Sequence, residues 1–203
     1  TLPYLARTLG VDKFGLIQFA QSVIQYFVII TDYGFELYAT REIAQNRENV
    51  KKISEIVSVI YVIKIALLLL CFLVLIVLVL LVDSFTSYWY LYIVLFGFVI
   101  GQVFFPVWLF QGLEEMKFIL FTNFLSKFLL TISIFVFIKE SSDFINYAYI
   151  YSISSLLASF VAVAVFIKRY RLKFVTPSFV MIKKYLKAST HFFLSRISVS
   201  IYT

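Results

Sequence analysis

Between Ile56 and Val82 the chain carries a single charged residue, Lys64. Crossing the ~30 Å hydrocarbon core of a bilayer takes about 20 apolar residues in a helix, so this run is long enough to span with some tilt. Leu16–Phe35, Tyr88–Phe110, Phe118–Ile138 and Ile145–Ile167 have the same character. The chain has 203 residues, 62% of them hydrophobic. One core cannot hide that much apolar side chain, so the remainder must face lipid. The expected fold class is all-α, a polytopic helical membrane protein. The alternating segments of about ten residues that mark a membrane β-barrel do not occur.

The polar stretch Asp32–Arg47, DYGFELYATREIAQNR, shows where the chain leaves the first of these runs. Within the run, Gln18, Gln21, Ser22, Gln25, Asp32 and Glu36 fall inside an arc of roughly 100° on a helix. Polar groups on a spanning helix turn from lipid toward partner helices or a wet cavity. A continuous polar face over Gln18–Glu36 predicts a cavity wall. Arg41 and Glu42 lie beyond it, at the water boundary, and are expected to form a structural clamp rather than to hold substrate.

Thr1–Gly10 reads as the exit of a first helix, and Val11–Gly15 as a turn bordered by glycines. Gly97 and Gly101 form a small-xxx-small step, and Ala148, Ser152, Ser155, Ser159 and Ala162 form a stripe suited to close packing. Pro106 predicts a kink. After Lys168 a polar connection follows, with Thr176–Pro177 as a helix start. An amphipathic helix on the inner leaflet would present Phe179, Ile182 and Leu186 on one face and Lys183, Lys184 and Lys187 on another. The expected organisation is a membrane lobe over 1–190, with the end of helix one, helices two to six and that amphipathic connection. Residues 191–203 would begin a truncated helix seven. Six complete or nearly complete helices and a chain cut within a helix are expected, since residue 1 is Thr and the first Met is Met116.

Basic residues fix the expected orientation. Arg41, Arg47, Lys51 and Lys52, then Lys117, then Lys168, Arg169, Arg171, Lys173, Lys183, Lys184 and Lys187 follow even-numbered helices. Only Arg7, Lys13 and Lys139 follow odd-numbered ones. The even-numbered connections and the N-terminus are therefore expected in the cytoplasm. The same asymmetry accounts for the net charge of +7 without nucleic acid as a partner.

No residues suggest catalysis or a cofactor. No G-x-x-x-x-G-K-[ST] segment occurs, and Cys71 and His191 are each the only residue of their kind, so no metal centre is expected. Glu114 and Glu115 are adjacent and point to different faces. What remains is charge inside the bilayer, where each group costs a few kcal/mol: Asp32, Lys64, Lys127 and Arg196. Lys127 lies about ten residues, roughly 15 Å, from the inner end of its helix. It shares a face with Asn123, Ser126 and Thr131.

Three segments carry a resemblance to a known family. The first holds Leu9-Gly10, Phe14-Gly15, Asp32-Tyr33-Gly34-Phe35 and Ala39-Thr40-Arg41-Glu42-Ile43-Ala44. The second is Pro106-Val107-Trp108-Leu109-Phe110-Gln111-Gly112-Leu113-Glu114. The third is Phe192-Phe193-Leu194-Ser195-Arg196 through Tyr202. The chain resembles the N-terminal half of Wzx-type O-antigen and polysaccharide flippases, within the multidrug/oligosaccharidyl-lipid exporter superfamily. The resemblance implies two helical lobes around a central cavity with alternating access. It also implies an undecaprenyl-diphosphate-linked oligosaccharide as substrate, the bacterial inner membrane as location, and polymerase and chain-length proteins of the same pathway as partners. Gly34, Thr40, Arg41, Glu42, Trp108, Gln111, Gly112 and Glu114 would then be structural motif residues. Lys127, Lys64, Arg196, Gln18, Gln21, Gln25 and Asp32 would line the substrate pathway. A multidrug or cation antiporter would call for an acidic cavity, and a polymerase-like enzyme for a large external loop. The in-span charges are mainly basic and the external loops short.

Overall fold

The computed structural model describes residues 1–170 and 172–202. Arg171, counted above among the inner charges, and Thr203, the last residue of the expected helix seven, lie outside them. The described chain is helical, with no strand. Five helical stretches are long and apolar enough to cross a membrane: Leu2–Gln45, Val50–Leu81, Trp89–Gly112, Met116–Phe137 and Ser141–Tyr170. They cover the five apolar runs read from the sequence to within one residue, and the protein is an all-α polytopic membrane protein.

Helix α1 (Leu2–Asp32) includes residues expected to form a separate helix exit and turn. Gly10 alone is non-helical, at φ 76°, ψ 164°, and one glycine suffices for the change of direction. Two helical segments thus meet at Gly10, where the first helix is expected to end, but residues 11–15 wind as helix instead of forming the expected turn. Leu5, Leu9 and Ile17 pack together against Ile134, Ile138, Phe144 and Tyr147. The helix stops at Asp32, short of the expected Phe35, because Tyr33 and Gly34 both adopt positive φ, 47° and 75°. Helix α2 (Phe35–Gln45) then leads to α3 (Val50–Leu81), which Asn49 caps by accepting a bond from the Lys52 N–H.

A single turn, α4 (Asp83–Thr86), joins α3 to α5 (Trp89–Phe104). The chain breaks at Phe105-Pro106 and resumes as α6 (Val107–Gly112), the interruption that Pro106 predicts. Helices α7 (Met116–Phe137) and α8 (Phe144–Tyr170) follow, linked by a 3₁₀ turn at Ser141–Asp143. The two small-residue motifs face each other. A Cβ on Gly101 would come within 2.8 Å of the Ser155 backbone, and one on Gly97 within 3.0 Å of the Ser152 Cβ. Ser152 Oγ donates to the Val94 carbonyl at 2.6 Å, so the α5–α8 seam joins close packing to a hydrogen bond across it.

Helix α9 (Phe179–Tyr202) is continuous, so residues 190 and 191 mark no boundary between a surface helix and a seventh span. No glycine or proline falls within it to break it. Its start is Ser178, whose Oγ accepts from the Met181 N–H at 3.4 Å, rather than Thr176–Pro177. Tyr185 is buried edge-on to Tyr38, and Met181, Ile182 and Leu186 pack on the same core. Ile182 and Leu186 of the expected apolar face thus meet protein, whereas Phe179 is exposed. Lys183, Lys184 and Lys187 remain exposed.

Residues 172–178 form no regular element and are tied to α3. Lys173 N–H donates to Ser54 Oγ at 3.2 Å, and Val175 N–H to Ser58 Oγ at 2.9 Å. Both serines are buried. Replacing Ser58 by alanine should leave the Val175 N–H unpaired and cost about 1–2 kcal/mol. Faster hydrogen exchange confined to residues 173–176 is the expected reading; unchanged exchange there would contradict the tie.

Candidate functional site

The turn at Tyr33-Gly34 brings four helices to one point. Ending α1 at Asp32 and restarting at Phe35 sets Asp32 and Glu36 beside α3 and α9. Asp32 Oδ1 lies 3.6 Å from Lys64 Nζ, and Asp32 Oδ2 lies 2.7 Å from Arg196 Nη1. The same Nη1 lies 2.7 Å from Glu36 Oε2. Two carboxylates and two cations thus form one neutral cluster. Lys64 is 3% exposed, which requires a paired charge. Its partner is Asp32.

The cluster borders a small cavity of about 70 Å³ that also touches Thr31, Gln102 and Trp108. Next to it lies a larger cavity of about 540 Å³, lined by Glu36, Gln102, Gln111, Asn123, Ser126, Lys127, Tyr151 and Ser154 among others. Glu36, Gln102, Phe105 and Val107 line both. Lys127 reaches the larger cavity with Asn123 and Ser126, as the shared helical face predicts; Thr131 does not line it. Among the described residues Lys127 has no ion-pair partner.

The glutamines behave differently. Gln21 Nε2 donates to the Tyr147 hydroxyl at 3.1 Å. Gln18 is half-buried, its carbonyl accepting from Ser22, and Gln25 is exposed. None of the three lines either cavity; the polar arc meets the cavities only at its Asp32–Glu36 end.

The motif residues bring α2 and α6 together. A Cβ on Gly112 would come within 2.7 Å of the Ile43 Cβ and 2.9 Å of the Thr40 carbonyl. The Thr40 hydroxyl lies 3.3 Å from both the Trp108 carbonyl and Gln111 Oε1. Trp108 is buried edge-on to Tyr61. The clamp expected of Arg41 and Glu42 is made by Arg47, which donates to the Gly112 carbonyl at 2.8 Å and pairs with Glu114 at 2.7 Å. Arg41 is exposed, and the Glu42 carbonyl accepts from Asn46. Arg47's hydrogen bond and charge hold the Glu114 carboxyl below its ordinary range. This contribution is in place above the ordinary glutamate pKa and is lost as pH falls through the lowered value.

Sequence reasoning left Glu36, Gln102 and Tyr151 out of the site. Glu36 was visible in the polar arc. Gln102 and Tyr151 carry no signal of their own, since single polar residues in apolar helices are equally suited to packing.

The fold and cavities define a multi-pass helical membrane protein with an internal chamber lined by Lys127 and Glu36. The chain belongs to the polysaccharide biosynthesis protein family, whose model matches residues 1–203. A protein of Escherichia coli (strain K12) named "Putative O-antigen transporter" is 31% identical over 206 residues, covering all of this chain and 49% of that protein. A protein of the same name from Shigella dysenteriae is 27% identical over 211 residues, covering all of this chain and 50% of its own length. The chain spans about half the length of these relatives. No solved structure matches it.

Proposed function

We propose that the whole protein is a flippase. It moves undecaprenyl-diphosphate-linked O-antigen or polysaccharide repeat units from the cytoplasmic to the outer leaflet of the bacterial inner membrane, for lipopolysaccharide or capsule synthesis. This chain supplies the first of two lobes, with its even-numbered connections in the cytoplasm. The cargo leaves chemically unchanged, so the protein is not an enzyme, and polymerase and chain-length proteins take up the exported units. Family membership and the names of the relatives support this reading over a cation antiporter or a polymerase-like enzyme.

The observation that carries it is Lys127, a cation on the 540 Å³ cavity with no ion-pair partner among the described residues. A diphosphate crossing the hydrocarbon core needs compensating positive charge. Asn123, Ser126 and Gln111 on the same cavity offer hydrogen bonds to phosphate or sugar oxygens. Lys64 acts indirectly, by neutralising Asp32. The test is repeat-unit export in cells carrying full-length Lys127→Ala or Lys127→Arg protein at matched membrane levels. Alanine should lower export at least ten-fold, while arginine retains most of it. Normal export by Lys127→Ala would remove Lys127 from the pathway.

A further inference from the structure

Within the four-residue charge cluster the two halves differ. Lys64 and Asp32 have side chains only 4% and 14% exposed, so their charges depend on each other. Arg196 and Glu36 are 42% and 34% exposed, and Glu36 faces the cavity that holds Lys127. If Lys64 balances Asp32, the charge on Arg196 is balanced by Glu36. That second pair can part without leaving a buried charge alone, because water or another anion can reach both groups.

We propose that Glu36 is a displaceable counter-ion. It holds Arg196 while the cavity is empty and yields it to the phosphate oxygens of an entering anion, which Lys127 also attracts. Arg196 is suited to the exchange: its planar fork binds carboxylate and phosphate alike. The exchange also has a mechanical consequence. Arg196 is on α9, whereas Asp32 ends α1 and Glu36 begins the first turns of α2. Anion binding therefore removes one of the two ionic ties from α9 to the α1–α2 corner and leaves the other, to Asp32, as a pivot. Cargo binding and movement of α9 become coupled, which is what a ligand-driven change between two states requires.

This inference rests on the anionic-cargo reading above, and its test separates the two. Inorganic pyrophosphate serves as the probe, and its Kd is measured by calorimetry on full-length protein in detergent. The proteins compared are wild type, Glu36→Gln, Arg196→Gln and the double variant. Glu36→Gln should tighten binding at least five-fold, because the anion no longer competes with a carboxylate. In the Arg196→Gln background the same change should give less than a two-fold gain. A general long-range effect of removing one negative charge would instead persist without Arg196. A gain that survives in that background, or no gain at all, overturns the exchange and leaves the anion reading standing. Failure of all four proteins to bind pyrophosphate overturns the anion reading and the exchange with it. Glu36→Asp, which keeps the charge, should bind like wild type, so an altered fold in Glu36→Gln would be recognised.

Discussion

Full-length protein carrying Lys64→Met should lose about 3 kcal/mol of stability, and Lys64→Met combined with Asp32→Asn should regain most of it. Lys64 sits within α3 with its Nζ 3.6 Å from Asp32 and its side chain 4% exposed. Removing one partner of a buried pair costs about 3–5 kcal/mol, because the other charge stays behind without compensation. The expected value lies at the low end, since Arg196 still holds Asp32 at 2.7 Å. Methionine keeps the length and volume of lysine, so a cavity contributes little. The double variant removes both charges and should cost less than either alone would suggest. Thermal unfolding in detergent reads all three proteins. Wild-type behaviour of Lys64→Met would mean that Lys64 and Asp32 do not depend on each other.

Much of the fold is legible in the sequence, for physical reasons that differ between elements. The spanning runs are visible because lipid tolerates almost no charge. The two halves of the α5–α8 seam are visible because close helix approach demands small residues; that Gly97 and Gly101 meet Ser152 and Ser155 is seen only in the fold. Helix ends were harder. The stop at Asp32 depends on Tyr33 taking a left-handed conformation, which nothing in a tyrosine announces. The continuity of α9 was hidden because its lysine stripe and tyrosine-bearing face read equally well as a helix lying on lipid. Of the site, Lys127 was found because a deep, isolated lysine is rare in a spanning helix. The pairing of Lys64 and Arg196 with Asp32 was out of reach, since it joins residues far apart in sequence through the turn at Gly34.

That turn gives the other large expected effect. Gly34→Ala should destabilise the protein by about 2–4 kcal/mol, the sum of a conformational cost and an overpacking cost. At φ 75° an L side chain is strained by roughly 1–2 kcal/mol. The added Cβ would also stand 2.8 Å from the Phe192 Cβ, 2.8 Å from the Phe193 backbone nitrogen and 3.0 Å from the Ser189 carbonyl. Backbone atoms cannot rotate out of the way, so α9 must shift as a body. With it would go the stacking of Tyr33 on Phe193, at 4.5 Å between ring centres, and the hold of Arg196 on Asp32 and Glu36. Gly10 provides the control. Its φ is 76° and its ψ 164°, a region almost reserved for glycine, but a Cβ there meets nothing within 4 Å, so Gly10→Ala should cost only the conformational part, about 1–3 kcal/mol. Disulfide formation between Tyr33→Cys and Phe193→Cys reports on α9 directly. It should fall sharply when Gly34→Ala is added and stay unchanged with Gly10→Ala. Equal crosslinking in the two alanine variants would mean that Gly34 serves only its own backbone angle and not the seat of α9.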